Sequence, residues 1–383
     1  MTSGFDHPPD RRGTDSLKWR KYAQDDVLPL WVADMDFASP PAVVAALQER
    51  AAHGVFGYGE PVPDLVEAVT GAMDEAFGWR IEPDWIVWLP GLVSGLSVAC
   101  RATGEPGLGI GVAAPVYPPF LRVPPLMDRK TVRMPLAGDN VQGWRLDTDL
   151  LEANWDPDVR LFLLCHPHNP VGRVWTESEL EDFAALCLAR DAVICSDEIH
   201  NQLVLEPGLR HRPLATLDPE IARRTITLLA PSKTFNIAGL GCSLAVIPEP
   251  TLRRRFDRAR AGIVPDPNVL GMHAAAAAWS AGGGWLAELL DYLRGNRDLL
   301  AGRVAGLSGV TMAPVEATYL AWLDVRALGL DDPHATFLKH GLGFSDGADF
   351  GAPGHLRLNF GCSRSLLSEA CDRLDRAVAL IGS

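Results

Sequence analysis

Of the five lysines in this sequence, one is placed for chemistry. Lys18 and Lys21 lie in the charged amino-terminal arm, Lys130 in the polar turn Asp128-Arg129-Lys130, and Lys339 beside His340 near a glycine turn. Only Lys233 directly follows an apolar run, in TITLLAPSKTFNIAGLG. A lysine at the carboxyl end of a buried strand sits where open α/β sheets gather their ligands. Burial there disfavours the ammonium and leaves a neutral amine able to attack a carbonyl. The same position also suits a lysine whose stem snorkels out of a strand end. Asn169 in His168-Asn169-Pro170 and Asp197 in SDEIH follow two further apolar runs, LFLLCHP and AVICSDE. Taken singly, they read as an Asn-Pro turn and a turn aspartate. Arg357 in LRLNFG offers a guanidinium fork that matches a carboxylate bidentately. One arginine among thirty is equally an ordinary surface charge.

The elements that must position these residues follow from the apolar patterning. WIVWLP, GIGVAAP, LFLLCHP, AVICSDE and TITLLAP each read as short buried strands. Helical segments such as SGLSVACRAT and SELEDFAALCLARD separate several of them. This alternation predicts an α/β fold with a mainly parallel sheet covered on both faces. Upstream, Ser39-Pro40-Pro41 predicts a helix start capped by the serine, and DLVEAVTGAMDEAF a helix capped by Asp64. The first thirty residues are polar and read as an extended arm. Beyond about residue 270 a long helical run follows Gly282-Gly283-Gly284, then TYLAWLDV and HLRLNFG alternate, and LLSEACDRLDRAVALI closes as a helix. The expected division is a large domain at 46–283, with 1–45 and 284–383 forming an arm and a smaller α+β domain.

Three long strings, PHNPVGRVWT, SDEIHNQLVL and APSKTFNIAGL, stand in an order and spacing that resembles the fold-type I aminotransferase superfamily of pyridoxal-phosphate enzymes. The likeness is closest to its cystathionine β-lyase-like branch, the MalY/PatB type, and runs from WVADMDF (31–37) to LRLNFGCSR (356–364). The resemblance implies the aspartate aminotransferase-like fold, pyridoxal 5′-phosphate as cofactor, and an amino acid as substrate. It implies that Lys233 carries the cofactor as a Schiff base and, displaced by the substrate amine, removes the Cα proton. Asp197 would face the pyridine nitrogen, where a carboxylate keeps the ring protonated. Asn169 would donate to the phenolic oxygen with His200 beside it, and Tyr117 in APVYPPF would stack on the ring. The phosphate would lie on the helix start at Gly91-Leu92-Val93-Ser94, using the N–H groups of Leu92 and Val93 and the hydroxyl of Ser232. Tyr58 in FGYGEP resembles a tyrosine that reaches the phosphate of a neighbouring subunit, which implies a homodimer with shared sites. Arg357 would bind the substrate α-carboxylate, and Trp31, Asp36 and Tyr319 would line the entrance. Ala230 departs from a common serine, Gly241 from a common phosphate-binding arginine, Ser94 from a nearby proline, and His166 from a usual asparagine.

Composition narrows the partners. With 35 basic and 48 acidic residues the formal net charge is −13, and no long basic run exists, so nucleic acid is not an expected partner. The densest stretch, TLRRRFDRAR, reads as the wet face of a helix. Seven cysteines without a C-x-x-C pair read as free thiols of a reducing cytoplasm. The amino terminus lacks the apolar core of a signal peptide, and no apolar run is long enough to span a bilayer. A soluble, cytoplasmic protein is therefore expected. Gly107-Leu108-Gly109-Ile110-Gly111 lacks the dinucleotide-loop pattern and reads as a turn entering a strand. Cys165, His166, His168, Cys195 and His200 match no zinc spacing, and no metal is expected.

The resemblance points to a C–S β-lyase that expels a thiol from a cysteine-derived amino acid and releases pyruvate and ammonia. The alternative is an aminotransferase, in which the same carbanion is protonated on the cofactor. A non-catalytic cofactor-binding regulator is the third reading. It is disfavoured by the intact Lys233, Asp197 and Arg357, and because nothing before Trp31 has room for a DNA-binding module.

Overall fold

The computed structural model describes residues 4–382. Seven strands form the main sheet, in the order Ile86–Leu89, Ser243–Val246, Thr225–Leu229, Val193–Asp197, Val159–Cys165, Gly109–Ala114 and Lys130–Pro135. The last five are parallel to one another, while Ser243–Val246 runs antiparallel to both of its neighbours. Alternate side chains part into two cores, as the period of two requires. Leu161, Leu163, Cys165 and Cys195 pack with Leu96 of helix Leu92–Ala102 and Phe256 of helix Pro250–Arg260. Phe162, Leu164 and Ile194 pack on the opposite face with Trp175 and with Phe183 of helix Glu177–Ala189. The mainly parallel sheet with both faces covered is thus the one the alternation predicts.

Two strands escape a reading by apolar runs. Lys130–Pro135 is an edge strand whose outward residues are exposed, so Lys130 opens a strand rather than sitting in a turn. Ser243–Val246 is only four residues long, all buried between two neighbours. A second, four-stranded antiparallel sheet orders Ser345–Asp346, His355–Asn359, Leu320–Asp324 and Thr311–Met312. Its core includes Leu293 and Leu300 of helix Gly283–Val304 and Leu367 and Leu374 of helix Arg364–Ile381. Helix Gly283–Val304 begins at the second expected domain division. The first division, after residue 45, falls inside the continuous helix Pro41–Ala52.

The amino-terminal stretch is not an extended wet arm. Ser16 caps a short helix, Leu17–Arg20, whose Lys18 is fully buried with its Nζ 2.8 Å from Asp36 Oδ2. Phe5 packs edge-on against Phe37 and Trp285, and Leu28, Leu30 and Met35 belong to the core of the smaller sheet. Isolated apolar residues among charges do this, and they leave no periodic signal. Ser39 does not cap the helix at Pro41: Pro40 holds the cap position, and Ser39 Oγ donates to the Asn236 carbonyl at 3.1 Å. Asp64 likewise lies in the first turn of helix Pro63–Phe77, with Val62 at its cap.

Candidate active site

The carboxyl ends of four adjacent parallel strands converge, which is where ligands of open α/β sheets bind. Tyr117 follows Gly109–Ala114, the loop carrying Asn169 follows Val159–Cys165, Asp197 ends its own strand with His200 three residues on, and Lys233 follows Thr225–Leu229. Arg357 and Tyr319 arrive from the smaller sheet and its approach. The fields of Lys233, Asp197, Arg357, Tyr117 and Tyr319 act on one another, so the fold gathers residues spread over 240 positions into one space.

Lys233 Nζ donates to the carbonyl of Ala33 at 2.6 Å, and the hydroxyl of Tyr319 donates to the same oxygen at 3.0 Å. Burial lowers the lysine to about 8, against the pull of the Asp34 carboxylate, which raises it. Ala33 lies in the segment 31–37, which crosses the lysine as a strap. Asn236, three residues beyond the lysine, pins that strap: its Oδ1 accepts from Met35 N at 3.0 Å, and its Nδ2 donates to the carbonyls of Met35 and Phe37. From the other side Asn359 Nδ2 donates to the carbonyls of Val32 and Asp34. Neither asparagine stood out as functional in the sequence, although both lie inside the motifs SKTFN and LRLNFG.

Asp197 is buried, and its carboxylate Oδ1 accepts from the Ile199 N–H at 3.2 Å. Burial pushes its carboxyl up to about 7. Arg357 is buried as well and makes no ion pair with a side chain among the described residues. Its Nη1 donates to Asn169 Oδ1 at 3.0 Å, its Nη2 to the Trp31 carbonyl at 2.7 Å and to Ser345 Oγ at 3.3 Å, and its Nε has no partner among the described residues. Phe350 lies under the guanidinium, 4.8 Å from ring centroid to Cζ. Burial lowers Arg357 to about 10. His200 is buried with Nδ1 unpartnered among the described residues, and burial together with the charges of Lys233 and Arg357 brings it down to about 3, so its ring is neutral. Burial raises Tyr117 and Tyr319, so both keep their phenolic protons.

Other expected residues fall elsewhere. Asp36 does not line the entrance: its carboxylate is buried and held by Lys18, by Arg11 at 3.1 Å and by Trp19 Nε1 at 2.9 Å, the donors that a buried carboxylate requires. Trp31 contributes its backbone carbonyl to Arg357, while its ring Nε1 donates to the Lys18 carbonyl and Lys21 lies over its face. Leu92 and Val93 open helix Leu92–Ala102, whose cap residue Gly91 offers no side chain, so the first N–H groups are free for an anion. Ser232 is half-buried beside Lys233. Tyr58 stands on the exposed segment between helices Pro41–Ala52 and Pro63–Phe77, fully in solvent at 112% relative exposure.

These groups fit pyridoxal phosphate. A buried carboxylate without a cation in contact suits a pyridine nitrogen that carries a proton, and an uncapped helix start suits a phosphate. The unpartnered Nδ1 of His200 is a buried polar atom still in need of a neighbour. The family profile described as aminotransferase class I and II matches residues 25–374. The chain is 39% identical to cystathionine β-lyase PatB of Bacillus subtilis (strain 168), covering 98% of this chain and all of that one. Among solved structures, OvoB superposes with a TM-score of 0.95 at 50% identity, covering 98% of each chain. Cystalysin from Treponema denticola, which contains pyridoxal 5′-phosphate, superposes with a TM-score of 0.94 at 33% identity over the whole of both chains. By its sequence match along nearly all its length and by its fold, the chain belongs to the aminotransferase class I and II family.

Proposed function

We propose that this protein is a pyridoxal-phosphate-dependent C–S β-lyase that cleaves a cysteine-derived amino acid to a thiol, pyruvate and ammonia. The observation that carries the reading is the gathering at the strand ends of Lys233, a buried Asp197 and a buried Arg357 that has no carboxylate partner among the described residues, in a chain akin throughout to a cystathionine β-lyase. When bound, pyridoxal phosphate supplies the electron sink that makes a Cα–H bond acidic. Asp197 would meet the ring nitrogen and favour its protonated form, Asn169 and His200 would lie at the phenolic oxygen, and Tyr117 would cover the ring. The N–H groups of Leu92 and Val93 with the Ser232 hydroxyl would hold the phosphate. Arg357 clamps the substrate α-carboxylate and so fixes which Cα bond faces Lys233. The Lys233 amine, lowered to about 8, accepts the Cα proton at Nζ close to neutral pH, and the Ala33 carbonyl keeps it in place. Departure of the thiolate from Cβ and addition of one water complete the balance to thiol, pyruvate and ammonia.

Tyr58 completes the site from a second copy in this reading, making the enzyme a homodimer. Its full exposure supports this, as does that of Val55 and Phe56, at 61% and 59%, on the same segment. Seven buried free cysteines support a reducing compartment such as the cytoplasm. No helix among the described residues is long and apolar enough to cross a membrane.

The test is to supply the holoenzyme with L-cystathionine or L-cystine, without a keto acid, and follow pyruvate. Sustained release over many turnovers is expected, and Lys233→Ala should lower it about a thousandfold or more. A single turnover that restarts only on adding a keto acid would establish the aminotransferase reading that the family description also admits. A protein that shows no visible cofactor absorption after pyridoxal phosphate is supplied would overturn both.

A further inference from the structure

The resemblance implies a place at the entrance for Tyr319, but the fold buries it completely, directly before strand Leu320–Asp324. Three features aim its side chain. The preceding residue, Thr318, is fully buried at φ 74°, a left-handed conformation that a β-branched residue rarely adopts. It is held there because its N–H donates to the Leu203 carbonyl at 2.9 Å and its Oγ1 accepts from the Leu320 N–H at 3.1 Å. At Gly361 a Cβ would lie 3.3 Å from Tyr319 Cδ2 and 2.7 Å from Met35 Cγ, so a glycine leaves room for the ring and the strap together. The ring of His200 meets that of Tyr319 edge-on, centroids 6.2 Å apart. Backbone strain that the surroundings hold in place, next to a buried hydroxyl, points to a function for that hydroxyl.

That hydroxyl and Lys233 Nζ donate to one oxygen, the Ala33 carbonyl, at 3.0 and 2.6 Å. A carbonyl oxygen has two lone pairs and accepts both. We propose that Tyr319 is a positioning residue for Lys233, holding the Ala33 carbonyl as the fixed resting point of the lysine amine. The inference rests on the reading that Lys233 removes the Cα proton. When Lys233 holds the cofactor covalently, its nitrogen no longer has two hydrogens to donate. Ala33 is buried, and a buried carbonyl left without a donor would draw the strap toward another partner. Tyr319 keeps that carbonyl satisfied and in place, so the amine displaced by the substrate returns to an acceptor already set. Asn236 and Asn359 pin the strap on either side, through Val32, Asp34, Met35 and Phe37, and leave the Ala33 carbonyl to Tyr319 and Lys233. Burial raises Tyr319, so the phenol keeps its proton, and its one hydrogen is engaged with Ala33. It is therefore a poor acid for the departing thiolate and acts through Ala33 instead.

Tyr319→Phe removes the hydroxyl and leaves the ring. The measurement is the rate at which the holoenzyme exchanges the Cα hydrogen of L-alanine, an amino acid without a leaving group at Cβ, for deuterium in D2O. The maximal exchange rate should fall about tenfold, because an amine without a fixed resting point is less often aligned with the Cα–H bond. The half-saturating concentration of L-alanine and the visible absorption of the bound cofactor should be unaltered. A role in packing alone would lower the thermal midpoint and leave exchange at the wild-type rate, which overturns the proposal. A higher half-saturating concentration at an unaltered maximal rate would place the hydroxyl in substrate binding, and a lost visible band would place it in the cofactor pocket; either result overturns it as well. Should Tyr319→Phe not fold, Thr318→Gly is the second variant. Glycine adopts φ 74° without strain and loosens the aim of the next residue, so exchange should fall about threefold, and a wild-type rate counts against the idea. Exchange without pyruvate from L-cystathionine would strike the proposed lyase and leave this inference standing. A wild-type holoenzyme that exchanges nothing would remove Lys233 as the base, and this inference with it.

Discussion

Arg357 carries a charge that most proteins would pair. The protein instead surrounds it with neutral acceptors, Asn169 Oδ1, the Trp31 carbonyl and Ser345 Oγ, over the face of Phe350. A buried guanidinium satisfied by neutral groups keeps its attraction for an incoming carboxylate, because nothing nearby has already neutralised it. Lysine at this position retains the charge and loses the fork. Arg357→Lys should therefore lower kcat/KM about a hundredfold, mostly through KM, the loss of one charge-assisted hydrogen bond with its geometry. Steady-state kinetics would check this, and the visible spectrum of the bound cofactor should be unaltered. A fall in kcat alone would place Arg357 in the chemistry rather than in substrate binding.

At the scale of elements, the strap at 31–37 governs where the lysine amine rests. It has no regular secondary structure to hold it, so side-chain amides do the work: three hydrogen bonds from Asn236 and two from Asn359. Asn236 occupies the left-handed region at φ 56°, which asparagine and glycine tolerate best. Asn236→Gly removes the side chain without straining the backbone. Losing these bonds at a part-buried site should cost about 2–3 kcal/mol. We expect a lower thermal midpoint together with a fall in kcat of about tenfold, as Lys233 loses its fixed partner at Ala33. A lower midpoint with unaltered kcat would mean that the strap stabilises the fold without placing the amine.

For the whole molecule, the exposed segment carrying Tyr58 is the feature a single chain leaves unexplained. If sites are shared, each needs Lys233 from one copy and Tyr58 from the other. Neither Tyr58→Ala nor Lys233→Ala homodimers then have an intact site, but a hybrid has one. Mixing equal amounts of the two variants under conditions of subunit exchange should restore activity to about a quarter of wild type, since half the dimers are hybrids with one working site of two. Activity no higher than the sum of the separate variants would show that each chain completes its own site.

The sequence by itself determined the alternation of buried strands and helices, and with it the parallel sheet, because a strand buried on both faces must be apolar throughout and cannot hide in composition. It also singled out Lys233, the one lysine behind such a strand, and through whole motifs it brought in Asp197, Asn169 and Arg357. Tertiary structure decided the rest. Asp36 and Lys18 are residues of ordinary appearance in a charged stretch, and only the fold shows that they neutralise each other in the interior. Ser39 and Asp64 have the right type for helix caps, yet backbone geometry and a competing carbonyl assign the cap positions to Pro40 and Val62. Asn236 and Asn359 owe their roles to partners distant along the chain. Local patterning encodes which face of an element is buried; which polar groups meet there depends on how the elements pack, and spacing along the chain does not carry that information.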